Sequence, residues 1–165
     1  MAKAVFIDSR WRATLIRYAP IFLWVGVIFF LSSDQGSVSQ TSRFIRPLLQ
    51  FLFPTAPEET IPVYHAYVRK AAHFTEYAIL ALLAVRALAN SSFVGLRNYR
   101  YLLPLILVAV IALIDEFNQS FEASRTASYR DVLLDISGGL TMIFLIWIFR
   151  KPRPHRVQNS SSGGP

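Results

Sequence analysis

The sequence predicts an all-α polytopic membrane protein, a bundle of four transmembrane helices with an outer interfacial segment in the first loop. Hydrophobic residues make up 53% of the 165 residues and charged residues only 16%, with a mean hydropathy of +0.38. A soluble domain of this length has too little interior to bury so much apolar surface, so lipid is expected to cover the remainder. The apolar residues also form four runs of about 20 residues, the length that crosses a bilayer as a helix.

In chain order, the four predicted spans are residues 15–31, 68–88, 101–117 and 132–149. None alternates between apolar and polar residues as a strand does, and a transmembrane barrel needs more and shorter segments. Pro20 and Pro104 lie near the starts of two spans, where a helix tolerates proline. The second span carries charged residues at both ends, which makes it the least hydrophobic of the four.

The first loop contains an apolar segment, Phe44–Phe53, that is too short to cross a bilayer. It is expected either to form a short helix lying in the outer membrane interface or to cap the mouth of the bundle. Pro54–Pro62 is rich in proline and is predicted to be a linker.

Three regions are expected: a cytoplasmic basic N-terminus (1–14), a four-span membrane domain (15–150) and a disordered cytoplasmic tail (151–165), whose end resembles an added linker. No signal-peptidase site follows the first apolar run, so that run is predicted to be a retained signal anchor. The chain has no cysteine, which excludes disulfides, thiolate metal sites and thiol nucleophiles.

Basic residues predict the orientation. Lysine and arginine are more frequent in the segments on the side of the termini than in the loops opposite, which places both termini in the cytoplasm. Of the ten acidic residues, only Asp8 is then cytoplasmic. The net charge of +7 is accordingly attributed to topology and to contact with anionic membrane lipids, and no nucleic-acid partner is expected.

Polar side chains collect at the outer ends of the spans. In the second span, Lys70, His73, Glu76 and Tyr77 share one helix face at 100° per residue. Such groups are costly to expose to lipid, so this face is expected to turn toward the other helices.

The third and fourth spans bring further polar groups to the same level. Asp115, Glu116 and Gln119 end the third span, and Asp131 and Asp135 begin the fourth, followed by a Gly138–Gly139 pair that allows close helix packing. The first span ends with Ser32, Ser33 and Asp34. Together these ends predict an outward-facing polar pocket.

The residue types suggest roles in this pocket. Neighbouring carboxylates and a histidine suit proton transfer, and the acid–base candidates are His73, Glu76, Asp115 and Glu116. Cationic, amide and hydroxyl groups suit a polar or anionic ligand, and the predicted substrate-binding residues are Lys70, Tyr77, Gln119, Arg125, Asp131, Asp135 and Ser33. Nothing in the sequence pairs either serine with a base.

No cofactor is predicted, although two alternatives stay open. A divalent cation could be held by His73, Glu76, Asp115 and Glu116. The polar groups could instead form an ion-pair network that only locks the bundle.

These motifs resemble the VanZ-like family of bacterial integral membrane proteins over residues 17–149. The resemblance is carried by Ser32-Ser33, Lys70-x-x-His73-x-x-x-Tyr77, Asp115-Glu116-x-x-Gln119, Arg125 and Asp131-x-x-x-Asp135-x-x-Gly138. One position departs from the family pattern, which usually has asparagine where this chain has Asp135. The resemblance implies a multi-pass protein of the bacterial cytoplasmic membrane, in a family whose namesake is associated with low-level teicoplanin resistance.

The protein is expected to bind an amphiphilic envelope lipid or a lipoglycopeptide at the outer leaflet. In one version of this hypothesis it also modifies the bound molecule. A membrane-embedded hydrolase or transferase using His, Glu and Asp for acid–base or metal chemistry is an alternative. A structural partner of another envelope protein is a third. Whether the chain is an enzyme, and how it oligomerises, are left open.

Overall fold

The structure, a computed structural model, describes residues 9–33, 38–121 and 128–150. Within these ranges the chain is helical and contains no strand. Its α-helices are α1 (Ser9–Ser32), α2 (Val38–Leu52), α3 (Ile61–Ala89), α4 (Val94–Asn98), α5 (Leu102–Gln119) and α6 (Tyr129–Phe149). Four of them, α1, α3, α5 and α6, are long and apolar enough to cross a membrane. The predicted all-α bundle of four spans is therefore confirmed.

Contacts between α1 and α3 show that these two helices are antiparallel. The Tyr18 hydroxyl, in the first half of α1, lies 3.5 Å from the Ser91 hydroxyl just after the end of α3, and the Trp24 indole, further along α1, donates to the Glu76 carbonyl at 2.9 Å. The bundle thus has two ends. We call the one where α1 and α5 end and α3 and α6 begin the site end.

Helix α3 begins earlier than the sequence predicts, at Ile61 rather than Val68. The predicted linker is shorter for the same reason: Glu58–Thr60 form a 3-10 turn, and Pro62 falls in the first turn of α3. A proline there removes no helical hydrogen bond, because the first amide groups of a helix have no partner within it. With 29 residues, α3 is about 43 Å long and exceeds a hydrocarbon core of about 30 Å.

Helix α3 lies at the centre of the bundle and packs against all three other spans. The fully buried core is made of six side chains from α1, α3 and α5: Ile28, Tyr77, Leu80, Ala81, Val108 and Ala112. Alanines at 78, 81, 84 and 87 keep one side of α3 narrow, and small residues let helix backbones approach closely in a membrane.

Large apolar side chains are exposed along the outer faces of the spans. Phe22 is 75% exposed, Leu23 72% and Phe149 78%. Soluble monomers rarely expose apolar surface on this scale. The bundle is therefore a multi-pass membrane protein, with lipid covering these faces.

Helix α2 confirms that the first loop carries a short helix, although the helix starts at Val38 rather than Phe44. One side of it contacts the bundle, where Leu49 is buried and Arg46 forms an ion pair of 2.5 Å with Glu58. The opposite side exposes Phe44 (75%) and Phe51 (81%). An apolar face turned away from the bundle favours a position in the membrane interface, the first of the two alternatives.

Candidate functional site

Asp115 is the centre of a buried hydrogen-bond cluster at the site end. Its residue is 1% exposed, and its Oδ2 accepts from the Ser32 hydroxyl at 2.8 Å, the Gln119 amide at 2.9 Å and the Tyr77 hydroxyl at 3.3 Å. Three helices, α1, α3 and α5, thus converge on one carboxylate oxygen. The other oxygen, Oδ1, is buried without a hydrogen-bond partner among the described residues.

Helical spacing explains how two of these donors reach Asp115. Gln119 follows Asp115 by four residues, so the two side chains are neighbours on one face of α5. Ser32 follows the fully buried Ile28 by four residues, and Ile28 follows Trp24 by four. The face of α1 that contacts α3 and the core therefore ends on the Ser32 hydroxyl.

Asp135 is the second buried carboxylate of the cluster. It is 2% exposed, and its Oδ1 lies 3.8 Å from Nδ1 of His73 but has no hydrogen-bond partner among the described residues. Gly138, one turn further along α6, explains this proximity. A Cβ atom at position 138 would lie 3.0 Å from the carbonyl carbon of Phe74 and closer still to its oxygen, so only glycine allows α6 to approach α3 here.

His73, Asp115 and Asp135 form a compact group contributed by α3, α5 and α6. One ring nitrogen of the histidine and one oxygen of each carboxylate all lie within 4.8 Å of one another. Imidazole and carboxylate groups are ligands for divalent transition-metal ions, so this set has the chemistry of a metal site. It differs from the set considered in the sequence analysis, because Asp135 replaces Glu76 and Glu116.

A cavity of about 110 Å³ opens beside this cluster, between α3, α5 and α6. Its wall contains basic, acidic and neutral polar side chains and two apolar ones. The lining residues are Ala66, Arg69, Lys70, His73, Glu116, Gln119, Asp131 and Leu134. Lys70 Nζ lies 3.6 Å from Asp131 Oδ1, and both side chains are about half exposed. This ion pair therefore lies at the rim, where water and solutes reach it.

Glu116 holds the start of α6 against the end of α5. The residue is 9% exposed, and its Oε1 accepts from the backbone amide of Ser128. Ser128 in turn caps α6, because its hydroxyl accepts from the Arg130 amide at 3.2 Å. Glu116 thus has a structural contact in addition to its place on the cavity wall.

The comparison with family models identifies the chain. The model described as VanZ/LLP1 matches residues 18–150, a range that contains every polar group of the cluster and the cavity. The chain belongs to the VanZ/LLP1 family. Searches of curated proteins and of solved structures returned no match.

In this VanZ/LLP1 protein, most of the predicted site residues lie together at the site end. The cavity wall includes five of them: Lys70, His73, Glu116, Gln119 and Asp131. Tyr77, Asp115 and Asp135 lie deeper, and Tyr77 is fully buried. The close packing predicted from the Gly138–Gly139 pair is confirmed.

The remaining predicted site residues lie apart from the cavity wall or outside the described structure. The Ser33 hydroxyl donates to the Phe30 carbonyl of its own helix at 2.6 Å. Glu76 has one buried carboxylate oxygen, Oε2, without a hydrogen-bond partner among the described residues. Arg125 lies outside the described residues. The roles given to all these residues remain predictions.

Two contacts of this VanZ/LLP1 chain were not predicted from the sequence. Ser32 has a carboxylate partner, Asp115, although the two are 83 positions apart in the chain. His65 is 5% exposed, and its ring nitrogens lie 3.2 Å from the Thr41 hydroxyl and 3.3 Å from the Ser42 hydroxyl, which fixes α2 to α3. The spacing of Trp24, Ile28 and Ser32 was an available signal for the first contact, and we find none for the second.

Proposed function

We propose that this VanZ/LLP1 protein binds the polar or anionic headgroup of an amphiphile, an envelope lipid or a lipoglycopeptide, in the cavity between α3, α5 and α6. The observation that carries the proposal is the wall of that cavity, which combines cationic and acidic side chains at the site end of the bundle. Charged side chains within or beside transmembrane segments are costly to keep there, which favours a function for them.

The size of the cavity supports a headgroup rather than a whole small molecule. Pockets for drug-sized ligands measure roughly 300 to 1,000 Å³, whereas this one measures about 110 Å³. In this proposal only the headgroup enters, and the apolar tails stay in the surrounding lipid against the exposed aromatic and aliphatic faces of the bundle.

The charges suit a headgroup that contains phosphate or carboxylate. Arg69 and Lys70 supply cationic donors, and hydrogen bonds between charged partners are roughly twice as strong as neutral ones. Arg69 also lines a neighbouring cavity of about 260 Å³, bordered by α2 and the start of α3. A headgroup larger than phosphate therefore has adjoining space around the same arginine.

We further propose that the site end faces outward, so that the ligand comes from the outer leaflet of the cytoplasmic membrane. The distribution of basic residues supports this, because it favours cytoplasmic termini. The resemblance to a family whose namesake is associated with teicoplanin resistance makes a lipoglycopeptide a relevant ligand to test. A hydrolase or transferase activity is not needed for this proposal.

Binding of phospholipid and of teicoplanin to purified protein tests the proposal. Lys70→Met removes one cationic donor while keeping the apolar stem, and is expected to weaken binding roughly tenfold, the loss of one charge-assisted hydrogen bond. Arg12→Met, near the start of α1 at the other end of the bundle, removes the same charge and serves as the control. Native mass spectrometry or a fluorescent-lipid competition assay measures both. Equal affinity in wild type, Lys70→Met and Arg69→Met contradicts the proposal.

A further inference from the structure

We propose that His73, Asp115 and Asp135 bind a divalent transition-metal cation directly beneath the headgroup cavity. The three side chains come from three different spans and offer one nitrogen and two carboxylate oxygens within 4.8 Å of one another. This inference does not rest on amphiphile binding, because the ligands of the cation are all protein groups and two of them are buried below the cavity wall.

Two buried oxygens without a hydrogen-bond partner point to a ligand here. Oδ1 of Asp115 and Oδ1 of Asp135 are both inaccessible, in residues that are 99% and 98% buried, and neither has a hydrogen-bond partner among the described residues. A buried polar atom without a partner costs about 1 to 3 kcal/mol, and more when it is charged. A cation coordinated by these oxygens removes that cost.

The charges that face this group from each helix leave an excess of carboxylates. Helix α3 contributes His73 and Glu76, α5 contributes Asp115 and Glu116, α6 contributes Asp131 and Asp135, and α1 contributes only the hydroxyl of Ser32. Helix α3 also places two cations, Arg69 and Lys70, on the cavity wall, and Lys70 lies close to Asp131 at the rim. Buried carboxylates without compensation are strongly unfavourable, and a divalent cation between Asp115 and Asp135 would neutralise both.

The geometry is close to that of a coordinated ion. Ligand atoms lie about 2.0 to 2.2 Å from Zn²⁺, so neighbouring ligands of a tetrahedral site are roughly 3.4 Å apart. The His73 nitrogen and the Asp135 oxygen are already 3.8 Å apart. The third donor, from Asp115, lies within 4.8 Å of the other two, so the donors would have to approach one another by about 1 Å to surround one ion.

Asp115 also has the supporting contacts that a metal-ligating carboxylate needs. Ser32, Tyr77 and Gln119 all donate to Oδ2, which fixes the orientation of the carboxylate and leaves Oδ1 free of donors. Hydrogen bonds of this kind to ligands orient them, and removing one typically lowers metal affinity by about 10- to 100-fold.

The donor set predicts which cation binds. Ca²⁺ and Mg²⁺ prefer all-oxygen environments, whereas an imidazole with two carboxylates suits Zn²⁺ or Mn²⁺. With three protein ligands, a tetrahedral ion keeps one position that the protein does not fill. His73 lies on the cavity wall, so that position would be near a bound headgroup.

Calorimetric titration of the full chain, purified in detergent, treated with a chelator and free of added lipid, tests the inference. Wild type is expected to bind one Zn²⁺ or Mn²⁺ per chain and to bind Ca²⁺ at least about tenfold more weakly. Asp135→Asn and His73→Gln each remove a ligand and are expected to lower Zn²⁺ affinity by about tenfold or more, and Tyr77→Phe by about 10- to 100-fold. Asp131→Asn removes an acid that is four residues from Asp135 but paired at the rim; it is the matched control and should lower the affinity far less than Asp135→Asn does.

Three outcomes overturn the inference: no stoichiometric Zn²⁺ or Mn²⁺ on wild type, equal affinities in wild type, Asp135→Asn and His73→Gln, or an equal loss in Asp131→Asn. Because the first outcome is measured on wild type, a variant that fails to fold does not weaken the test. Lys70→Met separates this inference from the proposed function. It should bind Zn²⁺ like wild type even though its affinity for headgroups falls.

Discussion

At the scale of single residues, Asp115 joins three helices through one oxygen atom. Ser32, Tyr77 and Gln119 each donate to Oδ2 and are all buried residues. Since no solvent replaces a lost donor there, each of these hydrogen bonds should affect stability more than a bond at the surface does.

Tyr77→Phe isolates one of these bonds, because it removes the hydroxyl and keeps the ring in the core. The Tyr77 bond is the longest of the three, at 3.3 Å, so we expect the free energy of unfolding to fall by about 1 to 2 kcal/mol. Equilibrium unfolding in detergent, followed by circular dichroism, measures the change. Ser33→Ala removes a hydroxyl bonded only to its own helix and should change stability by less than about 0.5 kcal/mol. A smaller loss in Tyr77→Phe than in Ser33→Ala would contradict the central role of Asp115.

Sequence spacing predicted part of this cluster. Because Asp115 and Gln119 are four residues apart, their proximity follows from helix geometry alone. The contact between Ser32 and Asp115 could not be predicted in this way, since it depends on how α1 is rotated and how far it is shifted along α5. For the same reason the group of possible metal ligands considered from the sequence included Glu76 and Glu116, whereas the structure brings Asp135 beside His73 and Asp115.

At the scale of elements, the crossing of α3 and α6 determines the site. Gly138 contacts the Phe74 backbone, and Gly139 lies against the Val108 side chain of α5. These close approaches bring Asp135 within 3.8 Å of His73, the residue just before Phe74. The glycine pair was recognisable from the sequence as a packing motif, but its partner helix was not.

Gly138→Ala is expected to separate α6 from α3. The added Cβ would meet backbone atoms of Phe74, which cannot move aside as a flexible side chain can, and such overpacking typically costs about 1 to 3 kcal/mol. Unfolding in detergent measures the loss, and Zn²⁺ titration should show weakened binding as Asp135 moves from His73. Gly26→Ala is the matched control, since a Cβ there meets nothing within 4 Å. Equal stability of the two variants would refute the close crossing.

At the scale of the whole molecule, hydrophobicity was sufficient to predict the four-span architecture. Four apolar runs gave four spans, and lipid exposure explains why their outer faces need no polar residues. The ends of α3 were harder to place, because its first turns carry polar residues and extend beyond the length needed to cross the bilayer. Helix α2 was predicted from the length of its apolar segment, because a short apolar helix can lie on a membrane but cannot cross it.

The two ends of the bundle also differ in charge, and this difference predicts its orientation. Opposite the site end, a cavity of about 590 Å³ is lined by Arg86, Arg97, Arg100 and Arg150, and the part of the chain that the structure describes contributes no acidic residue to its wall. Arginine is retained on the cytoplasmic side of membranes, so we expect this end to be cytoplasmic and the site end to face outward.

Single cysteines test this orientation directly, because the chain contains no cysteine of its own. Glu59→Cys places an exposed thiol at the site end, and Ser92→Cys places one between α3 and α4 at the opposite end. In intact cells, a membrane-impermeant maleimide should label Glu59→Cys and leave Ser92→Cys unmodified. After the membrane is permeabilised both should react, which controls for accessibility of each thiol. If only Ser92→Cys were labelled in intact cells, the bundle would have the opposite orientation. The headgroup cavity would then take its ligand from the cytoplasmic leaflet.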